Sequence, residues 1–332
     1  MAEPAWGLVP KDNIVSVYRI LAIDGGGIKG VFPASFLASV EEETKGPIGD
    51  YFDLIVGTST GGIIALGLGL GFTARDLLSF YEELGGQVFA DSRLLGFVRW
   101  IGFSKYSQKP LRKALESKFH SLRIGDSRRR LVIPSLNLET GEVHVFKTAH
   151  HPRFQKDYKE LVIDVALATA AAPTYFPVHR NASGIPLIDG GVWANNPVGI
   201  AVVEAIGVLG WNRTDLRVLS LGCTTSPVDV GLGRRLGMGR LYWAFKVVDV
   251  FMSGQSSASL GIAQLLASHQ NVFRISPQVP GKRFGLDIVK EVASLRGLGF
   301  SEARKALPTL KPVFFENPAE IFTPCNPQAE KA

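Results

Sequence analysis

The sequence is poor in cysteine and carries no visible export signal. Its 332 residues include two cysteines, Cys223 and Cys325. The N-terminal MAEPAWGLVP has neither the basic region nor the apolar region of a secretory signal, and it lacks the glycine needed for myristoylation. The C-terminal NPQAEKA has no prenylation motif. We therefore expect a cytoplasmic protein with reduced thiols and no disulfide framework.

The chain also lacks a long uninterrupted apolar segment. Its longest uncharged apolar stretch, residues 54–72, contains many glycines and the hydroxyl residues Thr58, Ser59 and Thr60. A membrane span needs roughly 20 predominantly apolar residues, so this stretch predicts a buried strand, turn and helix instead. The calcium loop of EF-hands and the phosphate-binding Walker loop are both absent. We expect no metal and no other cofactor.

The positive charge is concentrated in one stretch of the chain. The formal net charge is +6, yet residues 91–130 hold eleven Lys or Arg against three Asp or Glu. Aromatic residues are interleaved with the cations here, as in Phe97, Arg99, Trp100, Phe103 and Lys105. Cations near an anionic membrane contribute about 1 kcal/mol each, and aromatic rings anchor at its interface. We predict a lipid-facing lip over residues 97–106; a solvated surface is the open alternative.

Short β-rich runs alternate with helix-like segments along the chain. The runs YRILAI, DLIVG, RRLVIPSLN, VHVFKT, GIPLID and LRVLSLG are typical of strands, and helical patterns lie between most of them. Such alternation indicates an α/β fold with a mostly parallel central sheet. No repeat, low-complexity linker or domain boundary is visible, so we predict a single domain over residues 1–332. From about residue 230 we expect mainly helix as far as Pro308, and irregular chain beyond it.

One serine lies in a glycine-rich turn between a strand and a helix. The sequence GTSTG fits the pattern G-x-S-x-G, with Ser59 at its centre and Gly57 and Gly61 at its ends. In this context a tight turn exposes the serine Oγ, and the glycines remove side chains that would collide. The helix N-terminus adds a partial positive charge beneath it. Ser59 is therefore a candidate nucleophile; the alternative is a turn serine that caps the helix.

A second glycine-rich turn follows the first strand. DGGGIKG contains Gly25, Gly26 and Gly27, whose N–H groups could converge on an oxyanion. The same stretch matches G-x-G-x-x-G as far as Gly30, so a dinucleotide site has to be considered. That site needs an acidic residue at the end of the second strand, and here the second strand runs into Ser59 instead. The turn therefore favours an oxyanion hole.

The general base is the remaining part of such a site. None of the six histidines lies in a glycine-rich turn at a strand end, although Asp249 and His269 leave a Ser-His-Asp esterase open. Asp189 ends the strand GIPLID and is followed by Gly190 and Gly191, which on their own indicate only an Asp-Gly turn. Because the ends of parallel strands gather at one edge of a sheet, we expect these strand-end residues to lie together.

The motifs DGGGIKG, GTSTGG and DGG, in this order, resemble the patatin-like phospholipases. The resemblance extends through AAAPTYFP at residues 170–177 and through the NNP that follows DGG, and it covers residues 18–222. It implies a three-layer α/β/α fold and a Ser–Asp dyad without a catalytic histidine. Ser59 would be the nucleophile, Asp189 its base, and the glycine amides the oxyanion hole. Lys29 stands where the family commonly has arginine, which leaves any bidentate role of that arginine in doubt.

A dyad of this kind makes demands on its surroundings. A carboxylate is a poor base for a hydroxyl, so Asp189 needs a short, oriented hydrogen bond in a partly desolvated site. Esters suit such a dyad better than amides, because an alcohol leaving group needs less protonation than an amine. The resemblance implies a phospholipase A-type lipid acyl hydrolase whose partner is a phospholipid membrane surface, and this preference for esters agrees with it.

Within that family the chain is similar to bacterial effectors of cyclic-oligonucleotide anti-phage signalling. This implies an idle lipase that a cyclic dinucleotide activates to degrade the membrane from its inner face. No DNA or RNA polymer is expected as a partner, and a homo-oligomer is left open. A constitutive lipase or esterase, and a non-enzymatic nucleotide-binding module, are the alternatives. Arg234, Arg235 and Arg240, named here the arginine cluster, are candidate activator-binding residues; further candidates are Lys282, Arg283, Trp243 and Phe284.

Overall fold

A mixed β-sheet forms the centre of the molecule. The structure, a computed structural model, describes residues 17–88, 104–225, 240–279 and 283–325. Within them eight strands lie in the order β5-β6-β3-β2-β1-β7-β8, with β4 paired to β3. Their bounds are β1 (Tyr18–Ile23), β2 (Leu54–Gly57), β3 (Arg130–Asn137), β4 (Val143–Lys147), β5 (His179–Arg180), β6 (Pro186–Asp189), β7 (Leu216–Leu221) and β8 (Val272–Ile275).

The five strands β3, β2, β1, β7 and β8 run parallel, and β4, β5 and β6 are antiparallel to their neighbours. The helices in the described residues are α1 (Val31–Glu41), α2 (Thr60–Gly69), α3 (Ala74–Val88), α4 (Lys109–Phe119), α5 (Val162–Thr169), α6 (Gly191–Ala194), α7 (Val198–Gly207), α8 (Arg240–Ala267) and α9 (Val292–Phe314).

Helices cover both faces of the sheet. Along β1, Leu21 and Ile23 pack into a large apolar cluster with α1 to α5 and α9, whereas Ile20 and Ala22 pack with α7 and α8 on the other face. Side chains of a strand point alternately to the two faces, so a strand covered on both faces is apolar along its buried part, as residues 20–23 of β1 are. The predicted three-layer α/β/α fold is confirmed. The single-domain organisation over 1–332 stays a prediction.

The prediction that helix ends at Pro308 was wrong. Helix α9 continues through Pro308 and Pro312 to Phe314. A proline inside a helix costs about 3 kcal/mol, and here the last turns bury Leu310 and Phe314 completely. Phe314 also meets the ring of Phe273 edge-on, at 5.4 Å between centroids. Tertiary packing of these apolar residues offsets the local preference.

Part of the basic stretch holds the C-terminal segment against the sheet. Arg129 donates from Nη1 to the Glu320 carbonyl oxygen at 2.9 Å. The Arg130 guanidinium lies 5.1 Å from the centre of the Phe322 ring, within cation–π range. These two cations therefore serve packing rather than a membrane-facing surface. None of the described helices combines the length and the apolar character needed to cross a bilayer.

The predicted lip is only partly described. Residues 97–103, including Arg99, lie outside the described residues. Lys105 forms an ion pair with Asp287, and the Tyr106 hydroxyl donates to the same carboxylate at 2.8 Å. This end of the segment is therefore joined to the chain just before α9, and the lipid-facing role of the remainder stays a prediction.

Candidate active site

The ends of three parallel strands meet at one edge of the sheet. Ile23, the last residue of β1, lies opposite Gly57 of β2 and Leu221 of β7. The glycine turn after β1, Ser59 after β2 and Cys223 after β7 consequently lie side by side. Burial raises the pKa of the Cys223 thiol to about 12, so this cysteine is a neutral packing residue beside the turn.

Ser59 occupies a strained turn between β2 and α2. Its backbone has φ 55° and ψ −122°, a conformation that non-glycine residues rarely adopt. A Cβ atom on Gly57 would come closer than 3.0 Å to the Gly61 carbonyl oxygen, and one on Gly61 equally close to that of Ile23. The Ser59 N–H donates to Thr169 Oγ1 at 3.0 Å. Close packing and this hydrogen bond hold the strain in place.

Ser59 and Asp189 are in direct contact. Ser59 Oγ donates to Asp189 Oδ2 at 2.7 Å, and both residues are buried. The other carboxylate oxygen, Oδ1, accepts the Gly191 N–H at 2.6 Å. Burial raises the pKa of Asp189 to about 6, although these two hydrogen bonds act in the opposite direction. The carboxylate is thus oriented through both oxygens and is more basic than an ordinary aspartate.

The turn after β6 brings Asp189 to this position. Ser135 of β3 lies opposite Asp189 in an antiparallel register, so β6 extends the sheet past the end of β2. A Cβ atom on Gly190 would come closer than 3.0 Å to the Pro134 carbonyl oxygen. Gly190 therefore lets the chain pass close to β3, and Gly191 begins α6 with its N–H directed at the carboxylate.

The glycine turn after β1 presents two amides, not three, to the site. The Gly25 N–H donates to the Asn195 carbonyl oxygen at 2.9 Å. Among the described residues, the Gly26 and Gly27 N–H groups have no hydrogen-bond partner, and both glycines line the same cavity as Ser59. Gly27 has φ 58°, and the Leu286 carbonyl leaves no room for a Cβ atom there. The sequence analysis placed the Gly25 amide in the oxyanion hole; because its N–H is already paired, this part of the prediction is corrected.

A buried ion pair lies beneath the glycine turn. Asp24 accepts two hydrogen bonds from Arg274, at 2.8 and 2.6 Å, and Arg274 also donates to Ser220 Oγ at 2.8 Å. The side chain of Lys29 donates to the Thr224 carbonyl oxygen at 3.0 Å. Sequence analysis missed Arg274, because a buried acid implies a cationic partner but does not identify which one.

A hydrogen-bonded loop connects the dyad region to the long helix α8. The N–H of Asn196 donates to Gln255 Oε1 at 3.2 Å, and its side chain donates to the Ser256 carbonyl oxygen at 3.2 Å. Ser259 Oγ in turn donates to the Asn196 carbonyl oxygen at 2.7 Å. The NNP sequence therefore joins the middle of α8 to the segment that carries Asp189.

The six histidines all lie in the described residues, and none lines the cavity or contacts the dyad. His150, for example, is buried beside Glu204, with Nε2 at 2.9 Å from Oε1. The side chain of Asp249 lies outside the described part, and His269 follows the end of α8. The contact between Ser59 and Asp189 therefore forms without an imidazole, which disfavours the Ser-His-Asp alternative. Within the described residues, no group of three or more His, Cys, Asp or Glu side chains is placed to bind a metal ion.

A cavity of about 550 Å³ contains the dyad. This volume is within the usual range for small-molecule sites, and the lining is mostly apolar. Asp189 is the one charged side chain among the described residues that line it. The cavity can therefore take an apolar group next to the Ser59 hydroxyl and two amides that have no partner among the described residues.

The described part of the structure does not bring the candidate activator residues together into one site. Arg234, Arg235 and Lys282 lie outside the described part, and Arg240 begins α8 with its side chain also outside it. Arg283 pairs with Glu291 at 2.9 Å. Its guanidinium lies 5.2 Å from the Phe284 ring, and Trp243 is 43% exposed. An activator site stays a prediction.

Comparison with known proteins identifies relatives of this chain. The family model described as patatin-like phospholipase matches residues 21–202. A cGAMP-activated phospholipase of Pseudomonas aeruginosa is 39% identical over 249 residues, which are 74% of each chain. Proteins of the same name are 37% identical in Vibrio cholerae and 41% identical in Escherichia coli. These matches cover 64% and 56% of this chain, and 65% and 55% of those two proteins.

Among solved structures, VipD from Legionella pneumophila is similar over 89% of this chain and 67% of its own, with a TM-score of 0.44 and 14% sequence identity.

Proposed function

Because the chain belongs to the patatin-like phospholipase family, we propose that it hydrolyses phospholipid acyl esters with Ser59 as nucleophile and Asp189 as general base. The observation that carries this proposal is the 2.7 Å hydrogen bond from Ser59 Oγ to Asp189 Oδ2 inside an apolar cavity. The substrate is presented by a phospholipid membrane surface, on its inner face.

The reaction proceeds through an acyl-enzyme. Ser59 Oγ attacks the ester carbonyl carbon while its proton passes to Asp189, and the carbonyl oxygen becomes an oxyanion. As the tetrahedral intermediate collapses, Asp189 returns the proton to the leaving alkoxide, and a lysophospholipid departs. Water then attacks the acyl-serine with Asp189 again as base, and the fatty acid and the free serine result.

The oxyanion is stabilised by backbone donors. The N–H groups of Gly26 and Gly27, which have no acceptor in the described part of the chain, are the proposed oxyanion hole, together with the positive end of α2 that begins at Thr60. Removing a single donor of this type typically lowers kcat by about 10² to 10³. The Gly25 amide supports the turn through Asn195 and takes no part in the reaction.

A cyclic dinucleotide is the proposed activator, as part of antiviral defence. This rests on the relatives named cGAMP-activated phospholipases. The arginine cluster supplies the cations that would bind its phosphates. A constitutive lipase is the alternative, and it predicts full activity without a nucleotide.

Purified protein on phosphatidylglycerol vesicles tests both parts. Released fatty acid is measured by mass spectrometry with and without cGAMP and other cyclic dinucleotides, and Ser59→Ala is the control. We expect release that depends on Ser59 and rises with one of the nucleotides. Release independent of every nucleotide would leave the constitutive lipase, and no release in any condition would refute the phospholipase.

A further inference from the structure

The cavity around the dyad has a buried end and an open end. The buried end is lined by Ile63 of α2, by Tyr81, Leu84 and Val88 of α3, and by Leu111 of α4. All five residues are at most 5% exposed. Only the Tyr81 hydroxyl is polar among these side chains, and it already donates to the Thr60 carbonyl oxygen at 2.7 Å.

The open end is formed partly by α8, which packs on the opposite face of the sheet from α2, α3 and α4. Val192, three residues after Asp189, is 47% exposed, and Phe251 of α8 is 72% exposed. Both line the cavity together with Asn195 and Met252. At this end, large apolar side chains thus line the cavity and are also exposed on the protein surface.

The buried end of the cavity extends along helix α3. Tyr81, Leu84 and Val88 are spaced by three and four residues and therefore lie on one face of the helix. Tyr81 is beside the Ser59 turn through its hydrogen bond to Thr60. With a rise of 1.5 Å per residue, Val88 lies about 10 Å farther along the axis than Tyr81, and Leu84 about midway. Distance from the Thr60 contact, measured along the helix axis, therefore increases in the order Tyr81, Leu84, Val88.

We propose that the acyl chain of the scissile ester lies along this face of α3, so that Leu84 and Val88 determine which chain lengths are accepted. The inference rests on the proposed function and adds the orientation of the lipid. Methylene groups gain by burial at this end, whereas a phosphate would be left unpaired there. The headgroup and second chain lie at the open end, where Val192 and Phe251 contact the lipid layer.

Chain-length profiles test the order of the two residues. The kcat/KM values of wild type, Leu84→Phe and Val88→Phe are measured on 4-nitrophenyl esters from butanoate to hexadecanoate, with any activator that the vesicle assay has identified. We expect the ratio of hexadecanoate to butanoate to fall about tenfold or more in both variants. Leu84→Phe should stop accepting chains at a shorter length than Val88→Phe. Leu111→Ala, which enlarges the same end, should raise the ratio.

Substitutions at two exposed residues test the two ends of the cavity independently. Phe251→Ser should leave the ester ratio within about twofold of wild type but lower fatty-acid release from vesicles about tenfold. Val203→Ser changes a 51% exposed residue of α7 that does not line the cavity, so it should affect neither measurement. Melting temperatures of all variants identify any that fail to fold.

An unchanged ratio in folded Val88→Phe, Leu84→Phe and Leu111→Ala would overturn the proposal, as would a shift caused by Phe251→Ser instead. Failure of wild type to cleave any of the esters or phospholipids is a different result, because it refutes the proposed hydrolase itself.

Discussion

The carboxylate of Asp189 should lower the stability of the folded protein. Asp189 is 5% exposed, and burial raises its pKa from the ordinary 3.8 to about 6. A difference of this size between the folded and unfolded states corresponds to about 3 kcal/mol. Because the folded-state pKa is the higher one, the folded protein binds more protons between these values. Stability therefore falls as pH rises through that window and stays reduced above it.

Asp189→Asn removes the charge and keeps the shape. An amide at this position can accept the Gly191 N–H and donate to Ser59 Oγ, so both hydrogen bonds have a counterpart. We expect the free energy of unfolding to rise by up to about 3 kcal/mol at pH 8, and by about half as much at pH 5. Hydrolysis should be lost, because the amide is not a base. Urea unfolding at both pH values measures the difference.

A matched control uses an aspartate with the opposite shift. The pKa of Asp76 is lowered by hydrogen bonds from Thr73, so Asp76→Asn should reduce stability slightly at pH 8 rather than raise it. A lower stability of Asp189→Asn at pH 8, or an equal gain at both pH values, would show that burial does not destabilise this carboxylate. The same result would remove the basis for a raised basicity in catalysis.

Four further outcomes follow from the site. Ser59→Ala and Asp189→Ala should each abolish fatty-acid release, and the double variant should be hardly slower than either, since the effects of residues that act as one unit are non-additive. If the two losses in residual rate multiply in the double variant, the dyad is contradicted. The kcat/KM of wild type on a soluble ester should fall about tenfold per pH unit below about pH 6, as Asp189 becomes protonated. Arg274→Met leaves the buried Asp24 unpaired and should lower the free energy of unfolding by about 3–5 kcal/mol in urea titrations. Neutralising the arginine cluster should raise the activator concentration for half-maximal release without changing the unstimulated rate.

Features that depend on short-range sequence could be predicted. The Ser59 turn needs glycines two residues before and after it, and that requirement is visible in GTSTG. The buried parts of the parallel strands, such as residues 20–23 and 54–56, are apolar because helices cover both faces of the sheet. The position of Asp189 at a strand end, before two glycines, is also a local pattern; on its own it indicated only a turn, and the family resemblance supplied the proposed role of base.

Features that depend on distant partners could not be predicted. Asp24 and Arg274 are 250 residues apart, and nothing near Arg274 distinguishes it from other arginines. The hydrogen bond from the Gly25 N–H to the Asn195 carbonyl oxygen likewise depends on how two turns that are distant in sequence pack together. Helix α9 passes through Pro308 because apolar contacts of its last turns outweigh a local preference.

Helix α8 is attached to the rest of the protein unevenly along its length. Hydrogen bonds to Asn196 hold it at residues 255–259, and Ala263 and Ala267 are buried in the core, whereas Arg240 lies about 24 Å before this attached part. A bend of about 10° at the start of the attached part would displace the Arg240 end by about 4 Å, but Phe251, which lies close to it, by only about 1 Å. A large displacement at the start of the helix thus produces a small displacement at the mouth of the cavity. Misplacement by about 1 Å is enough to change a reaction rate about a hundredfold.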